Sequence, residues 1–159
     1  MLSNSQYSKA IDMWSVGCIL AEMFLRIPLL PGRDYKNQIH LIFELLGTPR
    51  GEELNCVKSR KAREYIKTIR TFKKISFKKI FRQVDPKAID LLERLITFDP
   101  AVRLTAEQCL DHPYVETYRA PEEEICCPLV PKEAFYFDEL KGSLQMIDMK
   151  RLMYTEVIS

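Results

Sequence analysis

Asp12-Met13-Trp14-Ser15-Val16-Gly17-Cys18-Ile19-Leu20-Ala21-Glu22-Met23-Phe24-Leu25 is the stretch on which the fold turns. With Ser8 as the expected N-cap, it predicts a helix over residues 9–25. Met13, Trp14, Val16, Cys18, Ile19, Leu20, Met23 and Phe24 leave that helix no consistently polar face. A helix apolar nearly all round needs neighbours on every side, as at the centre of a larger body. A membrane span is disfavoured, because Glu22 and Arg26 interrupt the stretch and Pro28 and Pro31-Gly32 break it early.

Working outward, Ile39, Ile42, Phe43 and Leu46 recur at helical spacing in a helix expected over 35–46, stopped by Gly47 and Pro49. A basic, less regular segment follows, with a short helix expected over 62–69. Asp85-Pro86 offers an N-cap with proline at the first helical position. The helix it starts, over 87–97, presents Ala88, Leu91, Leu92, Leu95 and Ile96 to a core. Thr105-Ala106-Glu107-Gln108 has the form of a capping box for a short helix ending before Pro113. Beyond Arg119 the chain is acidic and punctuated by proline, and is expected to run extended to a last helix over 148–157. The fold class is therefore mainly α, with almost no strand signal. These elements are too few to surround the first helix.

The 159 residues are 47% hydrophobic and 29% charged, the composition of a single globular domain. Cys18, Cys56, Cys109, Cys126 and Cys127 are odd in number and lack framework spacing. With no signal peptide, they point to a cytosolic or nuclear setting. His40 and His112, far apart, give a structural metal little support. Net charge is +2 but uneven: residues 58–87 hold twelve Lys/Arg against Glu64 and Asp85, and residues 111–139 hold eight acids against Arg119 and Lys132. Two such surfaces prefer partners of opposite sign. Phe72, Phe77 and Phe81 interleave with the lysines as a nucleic-acid stacking surface would. They suit anchoring of an insert equally well, and without an RNA-binding motif nucleic acid is disfavoured.

Asp12 to Cys18 matches the D-x-W-S-x-G-C segment of eukaryotic protein kinases. Phe98-Asp99-Pro100-Ala101-Val102-Arg103-Leu104-Thr105 matches F-D-P-x-x-R-x-T, and His112-Pro113-Tyr114 matches the closing H-P-[YF]. In order and spacing the chain resembles the helical C-lobe of a protein kinase. Leu30-Pro31-Gly32-Arg33-Asp34-Tyr35 with Gln38, the L-G-T-P at 46–49, Asn55-Cys56-Val57 and Ala62-Arg63-Glu64-Tyr65-Ile66 are similar to the extracellular-signal-regulated branch of the MAP kinases. Phe135-Tyr136-Phe137-Asp138 and Leu152-Met153-Tyr154 look like that family's C-terminal extension. The resemblance divides the chain into a partial kinase domain over 1–115, with an insert at about 50–84, and a docking segment with extension over 116–159.

The resemblance implies roles for particular residues. Asp12 corresponds to an aspartate that accepts hydrogen bonds from the catalytic-loop backbone, the bland alternative being a carboxylate favoured by the helix dipole. Arg103 corresponds to the partner of the A-P-E glutamate. Breaking such a buried pair costs about 3–5 kcal/mol, so Arg103 is expected to sit unpaired or to swing out. Trp14 belongs to the same structural motif. Met1, Leu2, Tyr35, Ile39 and Tyr65 fall at the pocket for F-x-F-type docking peptides, where Lys36 departs from the apolar residue expected. Glu122, Glu123 and Glu124 fall among the acids that attract the basic arm of docking motifs in upstream kinases, substrates and phosphatases, though Ala120 replaces a usual aspartate.

The 159 residues contain no glycine-rich loop, V-A-I-K lysine, H-R-D-x-x-x-x-N loop or D-F-G. Phosphoryl transfer depends on those parts. The expectation is a chain with no catalytic, cofactor or metal residues of its own, whose parent kinase would use MgATP on Ser/Thr-Pro sites. The alternative is a non-catalytic docking module competing for MAP-kinase partners.

Overall fold

The computed structural model describes residues 8–125, 127–135 and 142–158. The expectations for Met1, Leu2 and the 136–138 part of the tail motif lie outside the described residues. The chain divides into two compact units, Met1–Arg119 and Ala120–Ser159. No strand occurs among the described residues.

In the first unit, α1 spans Ala10–Leu25. Its N-cap is Lys9, without a side-chain cap. The expected Ser8 cap is therefore corrected: Ser8 contributes its carbonyl, which accepts from Ile11 N at 3.0 Å. The helix ends on Arg26 in the left-handed region (φ 59°), whose N–H reaches Glu22 O, before either proline acts. The α2 helix, Tyr35–Leu46, starts on Asp34, whose carboxylate accepts from Asn37 N, and stops at Gly47. Gly47 takes φ 87°, open to glycine at little cost.

A 3₁₀ turn, Gly51–Cys56, leads to α3, Arg60–Thr68, capped by Ser59. The single turn α4, Phe77–Ile80, precedes α5, Pro86–Leu95. Asp85 caps α5 through Lys87 N at 2.7 Å, and the helix ends two residues short of expectation. The α6 helix, Ala106–Leu110, carries the expected capping box of Thr105 and Gln108.

Two apolar clusters hold the unit. One joins Ala21 of α1, Phe77 and Phe81 beside α4, and Leu91, Leu92, Leu95 and Ile96 of α5 and its end. The other joins Ile39 and Phe43 of α2 to Leu54, Val57, Ile66 and Ile69 of the insert. Phe77 and Phe81 are buried at 0% and 2% exposure. They anchor the insert and offer no stacking face to a nucleic acid. The segment after α3 is tied to the end of α2: Thr48 N donates to Phe72 O, and Ile75 N to Leu45 O at 3.0 Å.

Helix α1 divides lengthwise. Met13, Gly17, Leu20, Ala21 and Phe24 recur at helical spacing and turn inward. Asp12, Val16, Ile19 and Met23 form a second stripe beside it; the last three are 46%, 61% and 71% exposed. The shortage of neighbours foreseen from the sequence is thus located on one side of the helix. With Leu91, Leu110 and Tyr114, its Val16, Ile19 and Met23 line an open apolar groove of about 310 Å³.

Gly17 is where α1 meets the end of α5. A Cβ there would lie 2.9 Å from both Leu95 Cβ and Ile96 Cγ1. Gly17→Ala gains about 1 kcal/mol of helix propensity, but overpacking a site with so rigid a neighbour costs about 1–3 kcal/mol. A net loss of about 1 kcal/mol is expected in urea unfolding; a gain would mean that the two helices part freely.

The second unit, described by itself, has 3₁₀ turns at Pro121–Glu123 and Lys132–Phe135, and the helix α7, Met146–Ile158. Its start is two residues earlier than expected, because Asp148 turns back to accept from Gln145 N at 3.1 Å. None of its described residues is buried. The expected extended run is corrected at the two turns, where backbone bonds such as Glu123 N to Ala120 O (2.9 Å) close the chain locally.

Candidate functional site

The two motif segments meet at Arg103. The loop after α5 carries the arginine back to the start of α1, shaped by Asp99, which accepts from Ala101 N at 2.9 Å. Arg103 Nη1 donates to Ala10 O at 2.5 Å, and Nη2 donates to Thr97 O at 2.7 Å. The guanidinium carbon stands 5.0 Å from the centre of the Trp14 ring, within cation–π range. Arg103 therefore does not swing out. Two carbonyls and an aromatic face hold it half-buried, although no ion pair engages it among the described residues.

Among the described residues its Nε is buried without a hydrogen-bond partner. Burial foremost pushes the guanidinium below the ordinary arginine value, while Cys18 and Asp99 oppose the shift. An arginine nevertheless stays charged. What remains is a partly desolvated cation whose buried Nε donor is unused. Burial likewise raises the Cys18 thiol, against the nearby Arg103. Asp12, in the first turn of α1, is exposed and heads the apolar stripe.

The docking candidates are only partly gathered. Ile39 is a core residue at 2% exposure, and Tyr65 packs half-buried against its cluster. Tyr35, on the same helix as Ile39, is 49% exposed, and Lys36 is exposed. Glu122 and Glu123 are exposed on the Pro121–Glu123 turn, and Glu124 follows half-buried. These acids belong to the second unit and the aromatic residues to the first.

One polar pair escaped the sequence reading. His112, 6% exposed, places Nε2 2.9 Å from Asp90 Oδ2, while its Nδ1 accepts from Tyr114 N at 3.2 Å. Since Nδ1 accepts, Nε2 carries the proton and donates. Arg94 Nε lies 2.9 Å from the same carboxylate oxygen. The hydrogen bond from His112 first, and then Arg94, lowers the Asp90 pKa. The closing His-Pro-Tyr motif is thereby tied to α5. A depressed folded-state pKa stabilises above the unfolded value and loses that contribution as pH falls through the folded one. Asp90→Asn is expected to cost about 1 kcal/mol at neutral pH, given its half-exposed setting. The gap from the unsubstituted chain should close in acid; a gap independent of pH would show that the charge of Asp90 contributes nothing.

No three His, Cys, Asp or Glu side chains among the described residues converge on a point that could hold a metal ion. No helix among the described residues is long and apolar enough to cross a membrane. The described cysteines 18, 56, 109 and 127 are free thiols.

The helical body, with its D-x-W-S-x-G-C and F-D-P-x-x-R-x-T segments joined through Arg103, is that of a protein kinase C-lobe. The protein kinase domain family matches residues 1–115, and the chain belongs to that family. Within it, the chain is similar over its length to mitogen-activated protein kinases. It is 49% identical over 159 residues to mitogen-activated protein kinase 2 of Pneumocystis carinii, covering all of this chain and 45% of that protein. A mitogen-activated protein kinase of Fusarium vanettenii is 48% identical over 158 residues, 99% of this chain and 44% of its own length. Extracellular signal-regulated kinase 1 of Candida albicans is 44% identical over 173 aligned residues, 99% of this chain and 42% of its own. The chain thus spans less than half the length of these relatives.

Proposed function

We propose that the chain is the substrate-side part of a MAP-kinase-type Ser/Thr kinase acting in cytoplasmic or nuclear signalling, and that these 159 residues alone transfer no phosphate. The observation that carries the reading is the Arg103 junction. A desolvated guanidinium with a spare Nε donor suits the glutamate that the kinase pattern pairs with it. The Asp12-headed apolar stripe of α1 suits packing against the ATP-binding part of a kinase, whose parent would carry the γ-phosphate of MgATP to Ser/Thr-Pro sites. Incubated with MgATP and a Ser-Pro peptide, the purified 159-residue chain is expected to give no transfer above the enzyme-free control. Turnover above that control would sink the reading.

A second reading, a docking module for upstream kinases, substrates and phosphatases, is favoured by the exposure of Glu122 and Glu123. Opposite charges there raise capture rate and salt dependence more than affinity. A peptide with a basic arm and an apolar tail should bind weakly, and less as salt rises. The triple change Glu122→Gln, Glu123→Gln, Glu124→Gln should flatten that salt dependence; an unchanged slope would remove these acids from the interface.

A further inference from the structure

Neither reading uses the basic segment between α3 and α5. Within it, Lys73 and Lys74 stand three and two positions before Ser76, and Lys78 and Lys79 follow. We propose that Ser76 is a phosphorylation site, modified by a basophilic serine kinase that reads Lys73 and Lys74. Such enzymes hold two cationic side chains upstream of the acceptor with carboxylates of their own, which requires an exposed, extended substrate segment.

The structure meets each requirement. Lys73, Lys74, Ile75 and Ser76 are all exposed, and no helix includes them. Ser76 has extended backbone angles (φ −67°, ψ 127°), and its hydroxyl makes no capping hydrogen bond. Ser59 is the contrast in the same basic region, because its hydroxyl is engaged by Ala62 N at 3.3 Å. The segment is also held in place rather than buried: Thr48 and Leu45 tether it through Phe72 and Ile75. On the far side Phe77 is 0% exposed. Recognition therefore runs through the residues before the serine, and α4 keeps its core anchor.

In the reaction Ser76 Oγ attacks the γ-phosphorus of ATP bound to the modifying kinase. The new Oγ–P bond forms as the bond from phosphorus to the bridging oxygen of ADP breaks, and the hydroxyl proton passes to that kinase's base. The product carries about −1.5 to −2 charges, flanked in sequence by four lysines. It offsets part of the positive surface and weakens capture of acidic partners.

The test treats the folded 159-residue chain with the catalytic subunit of cyclic-AMP-dependent kinase and ATP, mapping phosphate by mass spectrometry. One phosphate on Ser76 is expected. It should be absent in Ser76→Ala and form about tenfold more slowly in Lys73→Ala/Lys74→Ala, equivalent to about 1.4 kcal/mol. Mapping on the unsubstituted chain keeps the result independent of whether any variant folds. No label, label elsewhere with Ser76 unmodified, an unchanged rate in the double lysine variant, or labelling of Ser76 only in urea would each overturn the proposal.

Discussion

Phe77→Ala is expected to cost about 4 kcal/mol in urea unfolding, the loss typical of a large aromatic removed from a packed core. Phe77 is 0% exposed and packs on Phe81 at 5.9 Å between ring centres. Phe81 in turn meets the edge of Phe24 from α1 at 6.4 Å. The ring therefore links the insert to both α1 and α5, so a cavity there loosens three elements together. A domain's whole stability is about 5–15 kcal/mol, and the exposed stripe on α1 leaves this one little reserve. The variant should stand at the edge of folding, and Phe77→Leu should recover more than half of the loss. A cost under about 1 kcal/mol would show that this aromatic cluster is not the native core.

Arg103→Ala should cost about 3 kcal/mol. It removes two charge-assisted hydrogen bonds, each worth about 1.5–3 kcal/mol, and the contact with Trp14. Part of that is offset, because a desolvated cation with an orphaned Nε leaves too. Arg103→Lys should recover little, since a single ammonium cannot span both carbonyls and the ring face as the planar fork does. Trp14 is the only tryptophan, so its fluorescence reports the site directly. Its emission should change in both variants before unfolding begins. Full stability in Arg103→Lys would mean that charge, rather than geometry, is what the site needs.

Most element boundaries were legible because their causes are local. Asp85-Pro86, Thr105 with Gln108, and Gly47 act within one turn of the helix they begin or end, and each acts as read. Ser8 misled for the same reason: a serine suits an N-cap, but the chain entered α1 with Lys9 in a helical conformation, leaving the hydroxyl no role there. The last helix began early because the side chain of Asp148 folds back on Gln145, a choice between equivalent registers that composition does not rank.

Contacts between distant residues were not legible in this way. The motif pattern marked Arg103 and suggested that it would sit unpaired or swing out. Its partners are backbone carbonyls of Ala10 and Thr97, which no side-chain pattern encodes. The bond from His112 to Asp90 joins residues 22 apart, one of them a type that mostly lies on the surface. The phenylalanines interleaved with lysines fitted either a stacking surface or an anchor. Only the chain's return past the end of α2 turned Phe77 and Phe81 inward.

The sequence alone determined the helical class, the kinase motifs and the apolarity of α1 nearly all round, because periodicity, capping chemistry and motif spacing are properties of neighbouring residues. The tertiary structure decided which stripe of α1 is covered, what holds Arg103, and which residues of the basic segment reach solvent. Those outcomes depend on how elements far apart in the chain pack, and burial is a property of the assembled helices rather than of any one of them.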